Sequence, residues 1–147
     1  MPHESHYRKL ENMYLKGAHI NTAFYETTNM IVAEERAAIT LTVASKYFHA
    51  AGAMHGSVYF KLLDDAAFFA VQSLVEDAFV LTTTFNIHML RPVNSGIIRS
   101  EGTVQFKSKS LFVAESKLFN EEETLIAFGS GEFVKSKIAL TPEIGYQ

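Results

Sequence analysis

No cysteine occurs among the 147 residues. Disulfide scaffolds, thiolate metal sites and cysteine nucleophiles are therefore excluded, and any metal would need histidine or carboxylate ligands. Proline is scarce, with only Pro2, Pro92 and Pro142, and there is no Pro/Gly/Ser-rich linker, low-complexity segment or internal repeat. A single domain spanning residues 1–147 is expected. An apolar run of about 18 or more residues, long enough to span a bilayer, is also missing, and the first twenty residues lack the continuous apolar centre of a secretory signal. The expectation is a cytoplasmic protein with no membrane insertion. A basic excess is lacking too: the formal net charge of -3 argues against nucleic acid as a partner, although a local group of cations could hold a small phosphorylated ligand.

What the chain does have is apolar material, 48% of its residues against 20% charged, the balance of a soluble globular domain with one good core. Tyr7, Leu10, Tyr14 and Ala18 recur at three- and four-residue steps, so an amphipathic helix is predicted over about 4–22. Met30–Ala33 and the alternating Ile39, Leu41 and Val43 flank the polar turn Glu34-Glu35-Arg36 and read as a hairpin. From Gly56 to Val75 almost no polar face remains, which predicts a central helix over about 56–75 buried inside the protein. Four strands are predicted after it, at Phe79–Leu90, Ile97–Lys107, Leu111–Asn120 and Thr124–Lys137, and their short connections favour antiparallel neighbours. The fold class is α+β, a long antiparallel sheet wrapped around a central helix.

A buried helix should contain no acid, yet Asp64 and Asp65 stand in the middle of this one, where an unpaired carboxylate is costly. Lys61 lies three residues before Asp64 and four before Asp65, and the spacing slightly favours a pair with Asp65. The other acid is left without a partner. Ahead of the helix, the run from Phe48 to Ser57 sets small residues and two histidines, His49 and His55, around a helix N-terminus, whose free N–H groups favour negative charge. Gly56 suits close approach of a ligand to backbone. Gly56 and Asp64 are eight residues apart, about 12 Å along a helix axis, so they cannot meet at one reacting carbon of a single chain. If both act, they come from two chains, which predicts a homodimer.

These residues resemble a family. His55-Gly56-Ser57 followed by Leu62, Asp64, Ala66 and Ala70 is similar to the H-G-G-x(4)-L-x-D-x-A-x(3)-A signature of hotdog-fold acyl-CoA thioesterases of the phenylacetic-acid-pathway type. Thr82, Asn86, Ile87, Arg91 and Pro92 resemble the S-x-x-x-N-I-x-(Y/F)-x-(K/R)-P strand of that family. Ala127-Phe128-Gly129-Ser130-Gly131-Glu132-Phe133 resembles its A-x-G-x-G-x-F last strand. The resemblance implies the hotdog fold and hydrolysis of acyl-CoA thioesters without metal or cofactor, in a homodimer or a dimer of dimers. It implies that the Gly56 N–H polarises the thioester carbonyl and that Asp64 of the facing subunit serves as general base or nucleophile. Thr82 would position the water or the Asp; His55 and Ser57 would border the substrate; and Arg91, Lys107 and Lys109 would meet the CoA phosphates. Phe60, Phe68, Phe69, Tyr47, Phe85 and Met89 are candidates for the acyl pocket.

Two positions depart from the family pattern. Ser57 replaces the second glycine, and its side chain either narrows the approach to Gly56 or contributes a hydroxyl. His49 stands six residues before His55 where the family carries an Asn, and an imidazole both donates one hydrogen bond and titrates near neutrality. That substitution admits an alternative, a hotdog-fold enoyl-thioester hydratase or dehydratase using His49 and Asp64, although the segment Ala51–Gly56 lacks the H-F-P motif of such enzymes. A third reading is a non-catalytic acyl-CoA binder. The pair His3 and His6 shares one helical face but makes a poor metal site without further ligands, and no metal is assigned.

Overall fold

The computed structural model describes residues 3–147. The apolar segment after His55 forms helix α3 (Gly56–Gln72), in which no glycine or proline interrupts the run after the first residue. His55 caps it, its Nδ1 accepting the Ser57 N–H at 3.0 Å. Leu62, Leu63, Ala66, Ala67, Ala70 and Val71 are fully buried, and each large side chain removed from water contributes about 1.5–3 kcal/mol. The expected helix ran to about residue 75, but α3 stops at Gln72. That side chain turns back on the chain: Nε2 donates to the carbonyls of Val75 and Ala78 at 3.0 and 2.8 Å, and Oε1 accepts the Val80 N–H at 2.9 Å. Leu74 and Val75 continue the apolar pattern of the helix but form the turn that follows it.

Six antiparallel strands wrap α3: β1 (Asn29–Ala33), β2 (Arg36–Thr42), β3 (Ala78–Met89), β4 (Ile97–Lys107), β5 (Leu111–Phe119) and β6 (Leu125–Ala139), in the order β1-β2-β4-β5-β6-β3. The α+β hotdog arrangement expected above is present, and the strands fall within a few residues of their predicted positions. Ile98, Ser100, Gly102 and Val104 of β4, and Phe112, Ala114, Ser116 and Leu118 of β5, form the period-two buried rows of a sheet with one face toward the core. Ser116 Oγ donates to the Leu63 carbonyl at 2.7 Å, tying β5 to the helix. Because the chain crosses through α3 between β2 and β3, β3 reaches the far edge, where among the described residues it pairs with β6 alone.

The single helix expected over about 4–22 is three pieces: α1 (His3–Asn12), a π-helical turn (Met13–Gly17) and α2 (His19–Ala23), with Ala18 extended between the last two. The C-terminal turn packs against the end of the π-helical turn. A Cβ on Gly17 would stand 2.7 Å from the Ile144 carbonyl oxygen, so the C-terminal turn presses on the backbone there. The apolar spacing of Tyr7, Leu10 and Tyr14 survives the change, and all three are buried. His6 anchors α1 to the end of α3. The Gln72 carbonyl only accepts, so His6 Nε2 donates to it at 2.9 Å, while Nδ1 accepts the Tyr146 hydroxyl at 2.7 Å.

Candidate active site

The acid left unpaired by sequence spacing is Asp64. It projects from the middle of α3 toward β3, where Thr82 Oγ1 donates to its Oδ1 at 2.9 Å. The register of β3 on β6 shifts between Thr82 and Thr84, and such bulges re-aim side chains beside sites. Asp64 lines a cavity of about 300 Å3 together with Thr82, Phe68, Phe69, Phe79 and Leu81. Burial in this largely apolar setting pushes its carboxyl up to about 6; the Thr82 hydrogen bond opposes the rise, the Asp65 carboxylate adds to it, and Lys61 opposes it. A carboxylate of this kind is a stronger base near neutrality than an ordinary aspartate and is still largely ionised at pH 7.

Asp65 takes the lysine, as the four-residue spacing favours. Lys61 Nζ hydrogen-bonds to Asp65 Oδ2, and the Tyr14 hydroxyl donates to the same oxygen at 2.8 Å. Lys61 also donates to the Tyr14 oxygen at 3.2 Å. Tyr14 comes from the π-helical turn, a distortion that recurs at functional sites. Its phenol is pushed well above the ordinary range, first by burial and then by Asp65, so it remains a donor. Met13, Tyr14 and Ile20 bring the N-terminal segment into the cavity wall. Sequence reasoning placed Tyr14 on an apolar helix face and had no signal that its hydroxyl would reach the acid pair.

The start of α3 forms a second locus. The Ser57 N–H is taken by His55 Nδ1, and the Val58 N–H by the His55 carbonyl at 3.0 Å, so the Gly56 N–H is the open donor at the helix tip. Ser57 Oγ also lies 2.8 Å from His55 Nδ1. Because Nδ1 accepts a backbone N–H, the proton of neutral His55 sits on Nε2. Terminal atoms of Met89 lie 3.3 Å from where a Gly56 Cβ would stand. Arg91 is at this end as well, its carbonyl accepting the Tyr59 hydroxyl at 2.8 Å. His49 is exposed in the loop before the helix, its Nδ1 accepting the Ala51 N–H at 3.1 Å, and it does not line the cavity of Asp64.

Lys107 and Lys109 lie at the opposite end of α3, beside Leu74, Val75 and Lys135. Lys107 pairs with Glu35. Within one chain, then, the predicted site residues other than His49, which stands exposed in the loop before α3, fall into three groups: Asp64 with Thr82 at mid-helix, His55, Gly56, Ser57 and Arg91 at the helix start, and the two lysines at its end. Of the aromatic candidates, Phe68 and Phe69 line the cavity. Phe60 and Phe85 instead pack edge to face, with centroids 5.8 Å apart, and Tyr47 stacks on Tyr25 at 5.1 Å.

An antiparallel sheet wrapped on a central helix defines the hotdog fold, and here that helix carries Asp64 at the edge of an apolar cavity. The chain belongs to the thioesterase superfamily, whose family model matches residues 51–127. Among solved structures it is similar to the E. coli PaaI protein from the phenylacetic acid degradation operon, with 20% identity over 96% of this chain and 100% of that one and a TM-score of 0.84. Thioesterase HI1161 from Haemophilus influenzae is 19% identical over 84% of this chain and 85% of its own, with a TM-score of 0.74. Conserved protein PA5202 from Pseudomonas aeruginosa is 22% identical over 83% and 96%, also with a TM-score of 0.74. Comparison with curated protein sequences finds no match. Among the described residues, no group of three or more metal-ligating side chains is gathered, and no helix is long and apolar enough to cross a membrane.

Proposed function

We propose that the protein hydrolyses acyl-CoA thioesters to the free carboxylic acid and CoA in the cytoplasm, at a composite site formed between two copies of the chain. The observation that carries this reading is Asp64, a half-buried carboxylate held by Thr82 at the wall of an apolar cavity and titrating at about 6. The acyl group occupies the cavity, and the thioester carbonyl lies against the open Gly56 N–H of the facing subunit. Asp64 takes a proton from water as the oxygen adds to the carbonyl carbon. The Gly56 amide and the positive end of α3 stabilise the resulting oxyanion. Collapse of the tetrahedral intermediate breaks the C–S bond, and the departing CoA sulfur takes up the proton. Direct attack by Asp64, with water then cleaving the anhydride, uses the same two groups.

The pairing of two copies has support beyond the 12 Å argument. The free edge of β3 presents a row of unpaired backbone groups of the kind that pairs with another chain. Apolar side chains stay exposed along it, Leu81 at 43% and Met89 at 51%. Two such dimers back to back would give a tetramer. Arg91, Lys107 and Lys109 serve the CoA phosphates from the rims of the shared site, and His55 Nε2 and the Ser57 hydroxyl border the thioester.

Release of free thiol from short, medium, long and aryl acyl-CoAs tests the proposal, with wild type and Asp64→Asn side by side. Turnover that is lost in the variant while acyl-CoA binding persists is the expected result; equal turnover in both would remove Asp64 from the mechanism. Consumption of a 2-enoyl-CoA without thiol release would replace hydrolysis with hydration.

A further inference from the structure

The mechanism above makes no use of Lys61, Asp65 and Tyr14, although these three groups are nearly enclosed beside the reacting acid. The side chains of Lys61 and Asp65 are 11% and 19% exposed, and Tyr14 is buried. Three contacts close the cluster: Lys61 to Asp65 Oδ2, the Tyr14 hydroxyl to the same oxygen, and Lys61 to the Tyr14 oxygen. The ammonium also sits 4.9 Å from the centre of the Tyr14 ring and 4.8 Å from that of Tyr25, a placement that favours a cation. Tyr14 is fixed in turn, its carbonyl accepting the Asn21 side-chain N–H at 2.8 Å.

An ion pair at one helical step is ordinarily a minor contribution to stability. This one is unlike a solvated pair because both charges line the cavity of Asp64, where screening by water is weak. We propose that Lys61 and Asp65 are positioning residues that set the pH at which Asp64 becomes competent, acting as a balanced counter-charge that Tyr14 holds closed. The inference rests on the hydrolytic role of Asp64 proposed above. The charged and titratable groups around Asp64 are Lys61 and Asp65 on its own helix and Tyr14 on the N-terminal segment, while β3 contributes the uncharged Thr82 hydroxyl. A carboxylate beside Asp64 disfavours its ionisation and an ammonium favours it, so the two members of the pair act on it in opposite directions.

That opposition supplies a test that a purely structural pair would fail. Asp65→Asn leaves the lysine uncompensated, and the acid limb of the kcat/KM profile should move down by about one pH unit. Lys61→Met leaves the carboxylate uncompensated, and the limb should move up by about as much. The double variant should return close to wild type, and Lys61→Arg, which keeps the charge, should do the same. A carboxyl carbon NMR titration of Asp64, with its signal assigned by its loss in Asp64→Asn, reads the same shifts without turnover. Limbs and titrations that coincide with wild type in both single variants, or that move in the same direction, overturn the proposal. Full activity in Asp64→Asn would instead overturn the role of Asp64 in hydrolysis, and the NMR titration would still report whether the pair governs that carboxyl. Should Lys61→Met fail to fold, Asp65→Asn compared with Lys61→Arg carries the test alone.

Discussion

Thr82 on the edge strand donates its hydroxyl to Asp64 at 2.9 Å, so the acid of the central helix is held by the strand that borders the open edge of the sheet. This bond favours the ionised carboxylate, in opposition to burial, which favours the neutral form. Thr82→Val keeps the shape and removes the donor. Its pH profile should show the acid limb raised by about half to one unit, with activity reduced most below pH 7 and recovering toward pH 9. A limb that stays in place with a uniformly lower rate would mean that Thr82 serves the water or the substrate rather than the acid.

Asp64 also has a stability signature. Its folded-state pKa of about 6 lies above the ordinary 3.8, so between these values the folded state holds more proton than the unfolded one and stability falls as pH rises. Above pH 6 the full cost is present, at most about 3 kcal/mol for a shift of this size. Asp64→Asn, still able to accept from Thr82, should therefore be inactive yet more stable than wild type by about 1–3 kcal/mol at pH 8. The advantage should fade as pH drops below 6 and vanish near pH 4. Denaturation at equal protein concentration at the two pH values measures it; a difference independent of pH would contradict the assigned cause.

The residues that announced the fold were those whose pattern is local. The apolar run of α3 and the period-two rows of β4 and β5 depend only on which side faces the core, and a sequence displays that directly. The odd acid was legible too, because an apolar helix leaves no ordinary place for two carboxylates and Lys61 lies at the right step for only one easily made pair. Tyr14 was not legible as a member of the site. Its hydroxyl reaches Asp65 from a π-helical turn, and the glycine that ends this turn, Gly17, packs against Ile144 and Gly145, more than a hundred positions away. The end of α3 was misplaced for a similar reason: Gln72 closes the helix with bonds to Val75, Ala78 and Val80 that no periodicity encodes.

Gly102 sets how closely the sheet approaches the helix. A Cβ there would stand 2.2 Å from the Ala66 carbonyl oxygen and 2.7 Å from the Ala67 nitrogen, both backbone atoms that cannot rotate away. Gly102→Ala should cost about 3 kcal/mol or more, because relief requires moving α3 off β4. By contrast, a Cβ at Gly56 would meet only the flexible end of Met89. Gly56→Ala should thus retain near-wild-type stability while thioester hydrolysis falls through the narrowed approach to its N–H. Urea denaturation and thiol release on the two variants separate these outcomes; equal loss of stability in both would refute the assigned difference in packing.

Gln72 is a fully buried polar side chain that closes the helix onto the edge strand. Its amide satisfies three backbone groups of the turn and of β3, and its own carbonyl receives His6. Gln72→Leu fills similar volume but leaves two carbonyls and one N–H without partners in the core. The expected cost is about 2–5 kcal/mol, since each buried unpaired group costs about 1–3 kcal/mol and part is recovered by relaxation of the turn. Gln72→Glu is more informative, because a carboxylate still accepts from Val80 but cannot donate to Val75 or Ala78 unless protonated. Its deficit should exceed that of Gln72→Leu at pH 8 and shrink as pH falls toward 4, where a protonated carboxyl regains a donor. Thermal denaturation of both variants across that range decides the matter: deficits that track each other at every pH would show that the amide acts by filling space rather than by binding the turn.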